Sequence, residues 1–207
     1  QKAATEAVRE TEGQILCQNG EAVEAYYFST SAGVTSTDEI WGSDEAAPYL
    51  RSVPCKFDEE EPWSSWIVEL PWKMLEDRIR EKGEGTVLRS VTVTRRSESG
   101  AATALEAVSD KDSCIIENEY EIRKFLAPVN CMITEKDGTE TAGGSLLPSA
   151  YFELERTQNG NLQVRGKGYG HGVGMSQTGA DKMAGQGYDY REILDYFFRN
   201  ITVENLG

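Results

Sequence analysis

Gly166-Lys167-Gly168-Tyr169-Gly170-His171-Gly172-Val173-Gly174-Met175-Ser176-Gln177-Thr178-Gly179-Ala180 is the stretch on which the reading of this chain turns. Every second residue from 166 to 174 is glycine, and His171 is the chain's only histidine. Glycine is favoured where backbone runs at positive φ or approaches another group closely. The alternation predicts a strand or hairpin bare on one face, leaving room for a ligand beside the one group that titrates near neutral pH. The plainer alternative is a Gly-rich turn whose histidine makes only a local hydrogen bond. Ser176 then stands where a helix N-cap belongs, ahead of a helix to Ala184 that Gly185 or Gly187 closes. A helix N-terminus suits a polar ligand or developing negative charge, although Ser176 can equally be only a cap and Gln177 only a surface residue. Ser176 follows the lone histidine by five residues and no G-x-S-x-G elbow exists, which excludes a serine hydrolase of that type. The glycines lack the GK[ST] ending of a P-loop.

Upstream, 150–156 and 161–166 read as a hairpin about Asn159-Gly160; downstream, Asp189 and Glu192 cap a last helix that turns Ile193, Leu194, Phe197 and Phe198 inward. Residues 13–18 and 22–30 read as strands joined by Asn19-Gly20, and 86–94 and 102–109 as another pair. Pro71 opens a helix with Trp72, Leu75 and Ile79 on one face, and Asn118 with Glu121 opens one with Ile122, Phe125, Leu126 and Val129. Ser29–Thr37 is hydroxyl-rich, either an ordinary loop or a row of donors and acceptors suited to sugar. Residues 44–66 are loop-like, and the acidic run Asp58–Glu61 reads as a solvated face. Trp63, Trp66 and Trp72 read as core cover, although aromatic faces also stack on sugars. Hairpins with interspersed helices, a C-terminal helical pair after the Gly-rich strand, and no βαβ rhythm make the class α+β. With no repeat or linker, 1–207 is expected to be a single domain.

The 207 residues carry a net charge of −14, which argues against nucleic acid and anionic membrane as partners. No run of about twenty apolar residues exists to span a bilayer. Cys17, Cys55, Cys114 and Cys131 are scattered without CxxC spacing, so neither a zinc site nor any other cofactor is expected. Two disulfides are arithmetically open; four separate thiols are the commoner arrangement.

The segment 166–198 (GKGYGHGVGMSQTGADKMAGQGYDYREILDYFF), with 7–42 (AVRETEGQILCQNGEAVEAYYFSTSAGVTSTDEIWG), 48–54 (PYLRSVP) and 146–155 (LLPSAYFELE), resembles the SpoIID/LytB family in the family's order. Residues around 85–140 are the least distinctive. The resemblance implies a lytic transglycosylase that cuts peptidoglycan glycan strands to 1,6-anhydromuramic ends. It would act with a cell-wall amidase and a membrane-anchored sporulation partner while the septal wall is thinned during engulfment. In that chemistry one carboxylic acid protonates the glycosidic oxygen and then, as carboxylate, takes the proton of the sugar's own C6 hydroxyl. LytB-like members imply the alternative, a non-catalytic glycan-binding module or amidase enhancer. The family's catalytic glutamate sits in a Glu-Met-Pro-type motif that nothing here matches. The expectation is therefore the body of a larger protein without its N-terminal part, placed outside the cytoplasm in the cell wall or septal space and membrane-anchored when intact. By motif position the resemblance assigns the groove lining to Ser29, Ser31, Gly33, His171, Met175, Ser176 and Gln177.

Overall fold

The computed structural model describes residues 2–206. Helix α1 (Lys2–Glu10) leads into β1 (Gln14–Gln18), and Asn19 and Gly20, both at positive φ, turn the chain into the short β2 (Glu21–Ala22). A two-residue turn with both φ positive matches the twist of a tight hairpin. β3 (Tyr27–Phe28) follows, then a long irregular stretch with three single-turn 3-10 helices between Asp38 and Ser64. β4 (Trp66–Leu70), α2 (Trp72–Glu81), β5 (Leu88–Arg96), β6 (Ala102–Ser109), β7 (Ser113–Glu117) and α3 (Glu119–Phe125) form the middle of the chain. β8 (Met132–Glu135), β9 (Glu140–Ala142), β10 (Phe152–Arg156), β11 (Leu162–Gly166), β12 (Met175–Ser176), α4 (Gln177–Gly185), α5 (Tyr190–Phe197) and β13 (Thr202–Asn205) complete it.

The largest sheet is antiparallel throughout, in the order β10-β11-β4-β8-β9. In β4 the side chains alternate, with Trp66, Val68 and Leu70 buried and Ile67 and Glu69 exposed, the two-residue period of a half-covered strand. Leu75 and Ile79 of α2 and Ile122 of α3 pack on that face together with Leu105 of β6 and Val164 of β11. Gly166 stands beneath Trp66, where a Cβ would lie 2.0 Å from the indole. The architecture is α+β, as the hairpin pattern predicts.

A second core gathers Ile40, Leu50, Cys55, Val173, Met183, Ile193, Phe197 and Phe198. α5 is placed by the expected capping box of Asp189 and Glu192, and α4 by Ser176, whose hydroxyl accepts from Gly179 N–H. Of residues 167–174, which carry the glycines, Val173 is part of this second core.

Several details differ from the sequence reading. Residues 167–174 are not a strand: Gly168, Gly170, Gly172 and Gly174 all have positive φ, so the chain coils with single bridges to Thr30 and Ser36. The span 22–30 is not one strand either. It breaks after Ala22, and β3 then pairs parallel with β12, Met175 opposite Tyr27 and Ser176 opposite Phe28. Val129 falls outside α3 and is exposed, because the helix ends at Phe125 ahead of Pro128. Asp58, assigned to a solvated run, is 1% exposed. The helix α1 and the closing strand β13, which pairs with β1 through Leu16↔Val203, carried no pattern that marked them.

Candidate functional site

The bare face left by the alternating glycines is filled by protein. A Cβ on Gly174 would lie 2.2 Å from the Tyr26 carbonyl oxygen, and one on Gly168 2.8 Å from the Thr30 carbonyl oxygen. The glycines thus let this segment lie against the backbone of residues 26–32. Tyr169 exchanges two backbone hydrogen bonds with Thr30 (3.0 and 2.7 Å), and Gly170 N–H donates to the Pro148 carbonyl at 2.8 Å.

His171 is half-buried between aromatic rings, with centroids 5.8 Å from Phe28 and 5.2 Å from Trp41. Its Nδ1 accepts from Val173 N–H at 3.1 Å, which assigns the proton of the neutral ring to Nε2. Burial lowers the imidazole pKa, Glu119 opposes this, Arg123 adds to it, and the Tyr27 carbonyl opposes it again. At neutral pH the ring is therefore uncharged. The local hydrogen bond of the plainer reading is present, and it fixes the ring's orientation.

Trp41 is shared with a cleft of about 550 Å³, whose walls include Glu39, Arg95, Arg96, Glu98 and Glu117. Behind the histidine sits a buried ion pair: Arg123 donates to Glu119 Oε1 at 2.5 Å and to the Leu147 and Pro148 carbonyls at 2.8 and 3.1 Å. Such a pair, with further guanidinium N–H groups of Arg123 donating to backbone carbonyls, holds its geometry better than it adds stability.

The structure sorts the residues assigned to the groove. Ser29, Met175 and His171 are half-buried, and Gly33 and Gln177 are exposed. The Gln177 side chain has no hydrogen-bond partner among the described residues. Gly33 sits in a turn at φ +95° with open space about it. Ser31 and Ser176, by contrast, are 1% and 0% exposed, and their assignment to the lining is corrected. Both face Asp58: its Oδ2 accepts from Ser31 N–H (2.8 Å), Ser176 Oγ (2.9 Å) and Cys55 Sγ (3.2 Å). Thr30, Thr35 and Ser36 of the hydroxyl-rich loop are buried too, so most of that row is spent on internal bonds. Ser36, for example, bonds the Tyr151 hydroxyl at 2.9 Å.

Sequence reasoning missed Asp58, Trp41 and the Glu119–Arg123 pair. Asp58 lies at the head of an acidic run whose other members are solvated or nearly so, which hid it. Glu119 and Arg123 have i,i+4 spacing, the one signal that could have found them. All four cysteines are free, and burial together with the Asp58 charge pushes the Cys55 thiol up to about 12. No group of metal-ligating side chains is present among the described residues.

The fold and the buried joint between the Gly-His segment and the hydroxyl loop define a domain class. Residues 51–174 match the family model described as Domain of unknown function (DUF8618). The chain is 30% identical over 202 residues to Stage II sporulation protein D of Bacillus amyloliquefaciens, covering 98% of the chain and 51% of that protein. The protein of the same name from Bacillus subtilis (strain 168) is also 30% identical, with the same coverage. The Amidase enhancer of Bacillus subtilis (strain 168) is 22% identical over 230 residues, 95% of the chain and 32% of that protein. The chain belongs to the family of that model, Domain of unknown function (DUF8618), and its similarity to these relatives supports the resemblance to the SpoIID/LytB family. It spans about half the length of the sporulation relatives it matches.

Proposed function

We propose that this chain is the glycan-holding body of a sporulation-type lytic transglycosylase, a single unit that works on peptidoglycan outside the cytoplasm. What supports the reading is one juxtaposition: β3 and β12 bring Ser29 beside the His171–Gln177 segment, and Trp41, whose ring meets the imidazole, also lines the 550 Å³ cleft. Uncharged His171, the exposed Gln177 amide and the Trp41 ring are the groups a neutral sugar chain takes up. An amide offers a donor and an acceptor at once, and an aromatic face covers the C–H side of a pyranose.

In this reading the acid that protonates the glycosidic oxygen comes from a part of the protein that these residues do not include. None of the chain's own carboxylates is given that role. His171, held by Val173 N–H, keeps the groove wall in place, and Gln177 fixes sugar hydroxyls. Cell-wall amidase and a membrane-anchored partner are the proposed companions. Among the described residues no helix is long and apolar enough to cross a membrane. The similarity to an amidase enhancer favours a second reading, in which the same groove binds glycan and stimulates an amidase without cutting.

The test digests purified, peptide-free glycan strands and reads the ends by mass spectrometry, alongside a binding assay. The 207-residue chain should bind the strands and release no 1,6-anhydromuramic ends, and His171→Ala should weaken binding. Anhydro ends produced by this chain alone would overturn the placing of the acid elsewhere. Wild-type affinity in a folded His171→Ala variant would overturn the groove itself. Stimulation of an amidase by a longer form that leaves no anhydro ends would select the second reading.

A further inference from the structure

A hollow of about 300 Å³ gathers positive charge in a chain whose balance is −14: Arg96, Arg165 and Lys167 line it, against the carboxylate of Glu153. Its walls also include Ala32 and Val34, the two neighbours of Gly33 in the hydroxyl-rich loop. It shares Arg96 with the 550 Å³ cleft that Trp41 lines, so the two are adjacent.

The three cations are held in different ways. The Arg96 guanidinium donates to the Phe152 carbonyl at 2.8 Å and to the Gly100 carbonyl at 3.1 Å, which fixes it in place. It also meets Glu153 at 3.0 Å, and Arg165 lies 3.9 Å from Glu155, but the side chains of these two acids are 81% and 69% exposed. Exposed pairs of this kind are weak and yield readily to another carboxylate. Lys167 has its main chain tied on both sides: its N–H donates to the Tyr151 carbonyl at 2.9 Å, and its carbonyl accepts from the Ser149 hydroxyl at 2.6 Å. Its ammonium makes no ion pair among the described residues. The Tyr151 hydroxyl is already bonded to Ser36 at 2.9 Å and Ser99 at 3.2 Å. What the hollow offers a ligand is therefore charge, one uncommitted ammonium and two guanidinium groups whose planar forks match a carboxylate.

The substrate proposed above carries such a group. Each muramyl unit of a peptidoglycan strand bears a lactyl ether, whose carboxyl group is free once the peptide is removed and otherwise continues into a peptide with carboxylates of its own. The strand is thus a polyanion, which a protein of charge −14 repels unless cations face it locally. We propose that the Arg96–Arg165–Lys167 hollow is a carboxylate site, which takes the anionic appendage of the strand while the sugar rings lie in the groove. This rests on the proposed function and adds to it the group by which a wall strand is told from an uncharged polysaccharide.

Isothermal titration at low salt tests it on the 207-residue chain, with peptide-free strands and with the same strands after their carboxyl groups are converted to methylamides. Wild type should bind the carboxylate strands about threefold more tightly, the scale of one exposed ion pair, and high salt should abolish the difference. Arg165→Gln and Lys167→Gln should each lose that preference while binding the methylamide strands as wild type does. The Lys167 side chain takes part in no internal bond among the described residues, so its variant covers the case of an Arg165→Gln chain that does not fold. Peptide-bearing strands, intact and methylamidated, separate the two sources. A preference for the intact form assigns the site to the peptide's carboxylate, and equal binding there confines it to the lactyl group. Equal affinity of wild type for the peptide-free and peptide-bearing carboxylate strands and their methylamides, or a preference that survives in both variants, overturns the site. In that event weaker binding by His171→Ala leaves the groove standing without it. Failure of wild type to bind any of the strands retires both readings.

Discussion

Ser176→Ala removes a hydroxyl that joins the start of α4 to Asp58. The hydroxyl caps α4 by accepting from Gly179 N–H at 3.1 Å and donates to Asp58 Oδ2 at 2.9 Å. Loss of an N-cap costs about 1 kcal/mol. Loss of a hydrogen bond to a charged group costs about 1.5–3 kcal/mol, and here it falls on a carboxylate 1% exposed whose Oδ1 has no partner. Together these come to roughly 3 kcal/mol, or about 9 °C in midpoint for a domain of this length. Ser31→Ala is the internal control. Asp58 takes the Ser31 backbone N–H, which the substitution keeps, while the Ser31 hydroxyl makes only longer bonds, 3.2 Å from Gly33 N–H and 3.5 Å to the Cys55 carbonyl. It should cost under about 1 kcal/mol. Calorimetry and urea melts read by tryptophan fluorescence measure both variants. A midpoint fall of less than about 3 °C for Ser176→Ala, or equal losses in the two, would refute the assignment of Asp58 as the joint of the site.

The His171 ring should titrate below 6.5 in an NMR pH series. Because the folded value lies beneath the unfolded one, the unfolded chain takes up the proton first, so stability from this group is lost as pH falls through and below 6.5; a midpoint at or above 6.5 would contradict its burial. Gly174→Ala should cost roughly 2–4 kcal/mol, from a left-handed conformation plus a Cβ 2.2 Å from the Tyr26 oxygen. Gly33→Ala, with equal φ strain and nothing within 4 Å, should cost about 1–2 kcal/mol, and urea melts showing equal losses would count against the packing argument. Cys55, with its thiol pushed up to about 12, should resist a thiol reagent in the native protein and react on unfolding. Prompt native labelling at Cys55, identified by peptide mapping, would show that it is not sealed.

Where a residue's neighbours are close in sequence, the structure follows the pattern. The turn at Asn19-Gly20, the box of Asp189 and Glu192 and the helix after Pro71 are all local choices of turn chemistry and period. The readings that failed are those in which a distant segment supplies the reason. Alternating glycines fit a bare strand or a backbone that must coil past another, and only the presence of residues 26–32 decides between them. A serine beside a histidine motif looks available until Asp58, 118 positions away, takes its hydroxyl. Leu75 and Ile79 were legible as core from their helical spacing with Trp72. The pairing of β13 with β1 was not, because a short, mostly exposed strand carries little hydrophobic signal.

The parallel contact of β3 with β12 has a consequence for the order in which the chain acquires its groove. Thr30 and Thr178 meet at 3.0 Å across 148 positions, so one wall is synthesised long before the other. Closing so long a loop comes late, after local hairpins and helices have formed. A polypeptide cut short before Met175 keeps the serine- and threonine-rich stretch but has nothing to dock against it. On the proposed function, a product truncated there would lack the assembled groove and would not hold glycan.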